Sequence, residues 1–293
     1  MTTHVGSPTP TDRPPGSGLP VGDLPDLSTV TGDLAVPSTA LAIGAHPDDI
    51  EFGAGATLAK WAASGCRIHH LVLTDGSKGS WDPDENLERL VADRMQECRE
   101  AAAHIDGEPG RTVDPPHRVT CLGRVDGELD NDAITRRGVA RVIRLVRPDV
   151  VLGHDPWRRY RLHPDHRAAG FLTVDALVAA RDPHFFADLG LEPHRPSALL
   201  LWEADQPNHV ERVEGFAGTK VDALLCHATQ LRTTMGIVPV GAVDAGGGGT
   251  GPDSAELADG RAEFADRIGR QLAQHGALAG AAAGEAFHLM TGL

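Results

Sequence analysis

From Thr39 onward, short apolar runs alternate with longer amphipathic stretches. Thr39–Gly44, Arg67–Leu73, Val119–Leu122, Val150–Leu152 and Ala198–Trp202 are each short, apolar and bounded by turn residues, the pattern of a buried strand. Between them lie stretches with helical spacing. Ala54–Ser64 is closed by Gly65, a residue suited to the left-handed position after a helix. Asn86–His104 places Leu87, Leu90, Val91, Met95 and Cys98 on one face. Asp132–Val146 opens on a capping aspartate and stops before Pro148, and His163–Ala180 follows the next strand. This β-α-β-α order predicts an α/β fold: one Rossmann-like domain with a mostly parallel sheet and helices on both faces.

The pattern weakens towards both ends. Phe216–Leu231 and Ala262–Gln274 read as helices, and the Gly-rich segment 236–259 between them reads as a loop or lid. Residues 277–293 are too rich in Ala and Gly to assign. Residues 1–37 hold seven of the 21 prolines and few large apolar side chains, too little to offset ordering entropy, so they predict a mobile tail ahead of a domain spanning 38–293.

Composition narrows the partners. The 293 residues are 41% hydrophobic and 23% charged, enough for one sizeable core. With 27 Lys and Arg against 41 Asp and Glu, the net charge of −14 argues against binding nucleic acid or an anionic membrane. No apolar run is long enough for membrane insertion. The start of the chain lacks a signal-peptide pattern, and the four cysteines form no C-x-x-C pair, so a cytoplasmic protein with reduced thiols is expected. The oligomeric state stays open, a homo-oligomer included.

The candidate chemistry sits at strand ends. His46-Pro47-Asp48-Asp49 follows the first strand, and His163-Pro164-Asp165-His166 repeats the same vocabulary far along the chain. A single HPD is a capping turn in most proteins; two of them at strand-to-helix junctions of one sheet point to a shared ligand. Histidine and a carboxylate three residues on, His46 and Asp49, can hold one divalent ion if a third ligand arrives, and His166 is the natural third. Asp48 is then free to act as a base on a water, and His163 faces the reacting carbon as an oxyanion donor or an acid for the leaving amine. Asp165 serves either to orient His46 or Asp48 or to cap its helix. His154 is a rim residue or a ligand-supporting one, His69 and His70 read as packing, and Trp81 is the best candidate among the tryptophans for a sugar platform. Gly53 and Gly55 do not open a dinucleotide fingerprint, because Leu58 stands where the third glycine belongs. There is no Walker A sequence and no G-x-S-x-G elbow.

The stretch AHPDDIEFGAGATLAKWAASG, then VLTDGSKGS, Arg94-x-x-Glu97, GRVDGEL at 123–129, RPDVV at 147–151, and HPDH, resembles the PIG-L/LmbE-like family of zinc-dependent N-acetylglucosaminyl deacetylases. Lys220 to Gln230 is similar to that family's K-x-x-A-L-x-x-H-x-x-Q, and Glu285-Ala286-Phe287 is a fainter echo. The resemblance implies zinc on His46, Asp49 and His166, with Fe2+ or another divalent ion able to replace it. It implies Asp48 as base, His163 as oxyanion stabiliser and acid, and Arg94 and Asp126 on sugar hydroxyls. Arg161 stands where some members carry an oxyanion-binding tyrosine; the only tyrosine, Tyr160, is adjacent and is carried forward as a substrate contact. The implied activity is removal of acetate from an N-acetylglucosamine-type amino-sugar conjugate. Its alternatives are an amidase acting on a bulkier thiol S-conjugate and a non-catalytic sugar-binding module.

Overall fold

The computed structural model describes residues 30–107, 118–237 and 254–293. Along the chain run β1 (Thr31–Gly32), β2 (Thr39–Gly44), α1 (Asp49–Ala63), β3 (Arg67–Thr74), α2 (Leu87–Ile105), β4 (Val119–Arg124), α3 (Ala133–Val146), β5 (Val150–His154) and α4 (Pro164–Arg181). These are followed by β6 (Ala198–Trp202), β7 (His209–Arg212), α5 (Ala217–Leu225), α6 (Ser254–Ala277) and β8 (Gly284–Thr291). Among the described residues the eight strands form one sheet, ordered β1-β7-β8-β6-β5-β2-β3-β4. Only β8 runs antiparallel, against β6 and β7.

Strand β2 lies at the centre with all six residues buried, so its sequence shows no alternation. On one face Leu58 and Trp61 of α1 and Cys98 and Ala101 of α2 pack with Ala223 of α5. On the other, Val139 and Ile143 of α3 meet Leu172 and Leu177 of α4. The chain leaves β2 for β3 on one side and later returns to β5 on the other. The C-terminal ends of β2 and β5 therefore flank the point where the winding reverses, the crevice in which open α/β sheets bind ligands.

Three expectations change. The ordered body reaches back beyond residue 38: Thr31 pairs with His209, Asp33 meets Lys60 at 3.0 Å, and the Leu34 amide donates to Glu211 at 2.8 Å. These ties are polar and very short, so no apolar pattern announces them; residues 1–29 lie outside the described residues. Helix α6 starts at Ser254 and takes over the end of the 236–259 loop, whose residues 238–253 also lie outside the described residues. The unassigned C-terminal segment contains β8, which closes the sheet between β6 and β7.

Helix α1 begins at Asp49 rather than Ala54, and Ala54 marks a kink with φ of −146°. In an unbroken helix the Phe52 carbonyl and the Ala56 amide are partners. Here Lys220 Nζ donates to Phe52 O at 2.7 Å, while the Glu285 carboxylate accepts from Ala56 N at 3.1 Å and Thr57 N at 2.7 Å. Lys220 and Glu285 are themselves joined at 2.6 Å, each 2% exposed. The pair thus takes up backbone groups on both sides of the kink, and it explains Lys220 and Glu285, two motif residues with no chemical role of their own. Lys220→Met strands a buried carboxylate and is expected to cost about 3–5 kcal/mol, read from denaturant unfolding. A Lys220→Met/Glu285→Leu double variant should recover much of that loss.

Candidate active site

Both HPD clusters converge on the crevice between β2 and β5. The turn after β2 carries His46, Asp48 and Asp49, each buried. Asp48 occupies the N-cap position of α1, yet its side chain caps nothing. Its Oδ1 instead lies 3.6 Å from Arg94 Nη2. Asp49 has two jobs: its Oδ2 accepts from the His46 amide at 2.7 Å, fixing the turn, and its oxygens face three imidazoles. Oδ2 is 3.3 Å from His46 Nδ1 and 3.2 Å from His154 Nε2, and Oδ1 is 3.2 Å from His166 Nε2. Two donors each about 2.1 Å from one tetrahedral ion stand about 3.4 Å apart, so these spacings suit shared ligation.

Metal-ligating side chains are concentrated here. Among the described residues, three overlapping groups have donor atoms within 4.8 Å of one another: His46–His163–His166, Asp49–His154–His166 and His46–Asp126–Asp165. The expected trio His46, Asp49 and His166 spans the first two groups rather than forming one by itself. The electrostatics are those of a cation site. Burial opposes charge on His46, but the carboxylates of Asp126, Asp165 and Asp49 raise its proton affinity well above the usual histidine range. Burial likewise opposes ionisation of Asp49, and His166 and His154 nevertheless hold it well below the usual carboxylate range. Nitrogen and oxygen donors around a surplus of carboxylates fit a divalent ion such as zinc.

The remaining predicted residues are also placed. His163 stands at the N-cap of α4 without capping it, its ring 4.6 Å from that of His46 and 4.8 Å from that of His166. Burial, then His46 and His166, lower its proton affinity. Burial raises the pKa of Asp48, opposed by Arg94. Arg94 is 3% exposed and donates to Gly76 O at 2.8 Å. A side chain at Gly79 would put a Cβ 2.3 Å from its guanidinium, so that glycine makes room for it. Asp126 Oδ1 lies 3.2 Å from His46 Nε2 and its Oδ2 accepts from Lys78 N at 3.0 Å. Arg94 and Asp126 line a cavity of about 530 Å³ with His46, Asp48, Asp49, His163 and His166. Tyr160 does not join them: it is 94% exposed, has a left-handed φ of 58° and is absent from the cavity wall. The neighbouring Arg161 turns inward in its place, 2.6 Å from Glu203 and 3.1 Å from His166 Nδ1.

For Asp165 and His154 the sequence left two roles open, and Glu51 and His227 were given none. Asp165, fully buried, caps nothing on α4; it accepts from Gly127 N at 2.7 Å and Leu129 N at 3.2 Å and meets His46 Nε2 at 3.1 Å. It therefore ties the β4–α3 loop to His46. His154 is 1% exposed, not a surface histidine. Trp202 Nε1, which can only donate, lies 3.0 Å from its Nδ1, and Arg161 Nη1 lies 3.3 Å from the same atom. With two donors at Nδ1, the neutral ring carries its proton on Nε2, 3.2 Å from Asp49 Oδ2. Burial disfavours charge on His154, but Asp49 and Glu203 draw a proton to it. Glu51 sits between His70 Nδ1 and His227 Nε2, each at 3.4 Å, which gives His227 of the Lys220–Gln230 motif a place beneath the Asp48–Asp49 turn. The available signals were the position of His154 at the end of a central strand and the glutamate two residues beyond Asp49. Removing a group that orients a ligand costs 10–100-fold in metal affinity in well-studied sites. Asp165→Asn and His154→Ala are each expected to weaken metal binding by about that factor, measured by competition with a chromogenic chelator.

The chain is similar to known deacetylases. The family model described as GlcNAc-PI de-N-acetylase matches residues 41–177, which include both HPD clusters. A diacetylchitobiose deacetylase from Thermococcus kodakarensis is 34% identical over 193 residues, covering 65% of this chain and 69% of that protein. A 1D-myo-inositol 2-acetamido-2-deoxy-alpha-D-glucopyranoside deacetylase from Saccharopolyspora erythraea is 30% identical over 50% of this chain, which spans about three-fifths (59%) of that relative. Among solved structures, N,N'-diacetylchitobiose deacetylase from Pyrococcus horikoshii superposes with a TM-score of 0.70 at 26% identity, covering 87% of this chain and 85% of that one. With its strand order, its two converging clusters and these relatives, the chain belongs to the PIG-L family of GlcNAc-PI de-N-acetylases.

Proposed function

We propose that the protein is a metal-dependent hydrolase that removes the acetyl group from an N-acetylglucosamine-type sugar conjugate, with zinc as the ion. The observation that carries this reading is Asp49 held between His46 and His166, with Asp48 beside it on the wall of one cavity. His46, Asp49 and His166 would hold the ion; when bound, it supplies Lewis-acid polarisation and lowers the pKa of water.

The protein's own groups account for the rest. Asp48 is buried and makes no helix-capping bond, so its carboxylate is available to take a proton from the attacking water. Arg94 keeps that carboxylate in place from 3.6 Å. His163, on the same wall, donates a hydrogen bond to the oxyanion that develops on the acetyl carbonyl. The proton taken from water passes to the departing nitrogen as the C–N bond breaks, leaving acetate and the amino sugar. Asp126 and Arg94 are positioned to hold sugar hydroxyls, and Asp165 and His154 keep His46 and Asp49 oriented.

The test is acetate release by the metal-loaded protein from N-acetylglucosamine conjugates set beside thiol S-conjugates. Release from the former is expected. Cleavage of the S-conjugates alone would favour a broader amidase, and sugar binding without release would make the protein a binding module.

A further inference from the structure

Gln230 closes the Lys220–Gln230 motif, and no step of the reaction uses it. It borders the catalytic cavity but is only 1% exposed, and its amide is fully engaged. Nε2 donates to Gly79 O at 3.2 Å and to Thr229 Oγ1 at 3.1 Å. Oε1 accepts from Thr233 Oγ1 at 3.1 Å and from Thr234 Oγ1 at 3.2 Å. Two donors and two lone pairs are all that a glutamine amide offers, so nothing is left for a substrate. Gly79 O can only accept, which fixes the amide with its NH2 towards that carbonyl. Glu97 sets the direction of the rest. Its carboxylate accepts from Thr229 N at 2.9 Å and from Thr229 Oγ1 at 2.6 Å, which commits the hydroxyl proton to Glu97 and leaves a lone pair for Gln230. Every donor in this series points towards one charge, an arrangement in which each bond strengthens the next.

The series ends on the turn that holds Arg94. Gly79 N donates to Gly76 O at 3.2 Å, and the same carbonyl accepts from Arg94 Nη1 at 2.8 Å. Gly79 is tightly confined: a Cβ there would fall 2.3 Å from Arg94 Nη1 and 2.9 Å from Gln230 Nε2. With Nη1 held in this way, Nη2 of the guanidinium is left for Asp48, 3.6 Å away. Arg94 and Glu97 are neighbours on one face of α2, so a single helix carries both ends of the circuit.

We propose that Gln230 is a positioning residue for the proton transfer: by pinning Gly79 it fixes the 76–79 turn and so aims Arg94 at Asp48. The assignment rests on the deacetylase reading above, with Asp48 as base, and adds to it a residue that works through Arg94.

The test is steady-state acetate release from N,N'-diacetylchitobiose by zinc-loaded Gln230→Met, which keeps the length of the side chain and loses its hydrogen bonds. kcat should fall on the order of ten-fold and KM should rise less than about three-fold, with zinc content by atomic absorption as in wild type. Arg94→Lys supplies the second readout. One ammonium keeps the charge but cannot reach Gly76 O and Asp48 through separate nitrogens. Adding Gln230→Met in that background should cost less than about two-fold, because the path is already cut. Wild-type kcat in Gln230→Met, loss of its zinc, or a roughly ten-fold further loss in the Arg94→Lys background would overturn the positioning role and leave the deacetylase reading in place. If circular dichroism shows Gln230→Met unfolded, Thr229→Val decides: it removes only the hydroxyl between Gln230 and Glu97. A fall in its kcat at full zinc content supports the role, and an unchanged kcat overturns it. No release by metal-loaded wild-type protein from any N-acetylglucosamine conjugate would overturn the deacetylase reading, and the positioning role with it.

Discussion

Asp48→Asn should lower kcat about a thousand-fold while leaving the metal bound, the loss typical of removing a positioned general base. The substitution keeps the shape of the side chain and removes its capacity to take a proton. It is Asp49 that meets the three imidazoles, and the Asp48 side chain holds no backbone amide at the start of α1. The turn should therefore persist without it. Its neighbour Arg94 also donates to Gly76, so the guanidinium stays anchored. The measurement is steady-state acetate release together with metal content by atomic absorption. Full turnover in Asp48→Asn would remove Asp48 from the role of base.

Asp49→Ala should act at an earlier step and lose the ion itself, with affinity falling by more than about a hundred-fold. Asp49 contacts His46, His154 and His166 at 3.2–3.3 Å, so its removal leaves the imidazoles without their common carboxylate. It also frees the His46 amide that fixes the turn. The adjacent aspartates are thus expected to separate cleanly: one variant inactive with metal, the other inactive without it. Equal metal content in the two variants would contradict the division of roles.

Much of this could be read from the sequence because the chemistry lies where apolar runs end. Val150–Leu152 and Ala198–Trp202 are buried strands with unmistakable patterns, and the residues after them fall on one rim by topology alone. His46, Asp49 and His166 came from ligand logic and spacing. What stayed ambiguous or was missed has physical causes. His154 ends a strand, and nothing local distinguishes a buried histidine under Trp202 from a surface one; only the packing of β5 against β6 does. Asp165 resembles a helix cap because it opens α4, while its actual partners are amides of a loop distant in sequence. Strand β8 was hidden because Gly284 and Ala286 dilute its apolar pattern, and Gly284 is required because a Cβ there would fall 2.6 Å from Val210 Cγ1. Tyr160 was drawn towards the site by its neighbourhood in sequence, but the left-handed backbone there turns its ring to solvent and Arg161 inward.

The most direct measurement is the acetate released from N,N'-diacetylchitobiose by protein stripped with a chelator, then restored with one equivalent of Zn2+. Catalysis that depends on an ion held by His46, Asp49 and His166 predicts loss of release on stripping and its return at a one-to-one ratio. It also predicts no return in Asp49→Ala at the same ratio. Undiminished release from fully stripped protein would contradict metal-dependent deacetylation at this site.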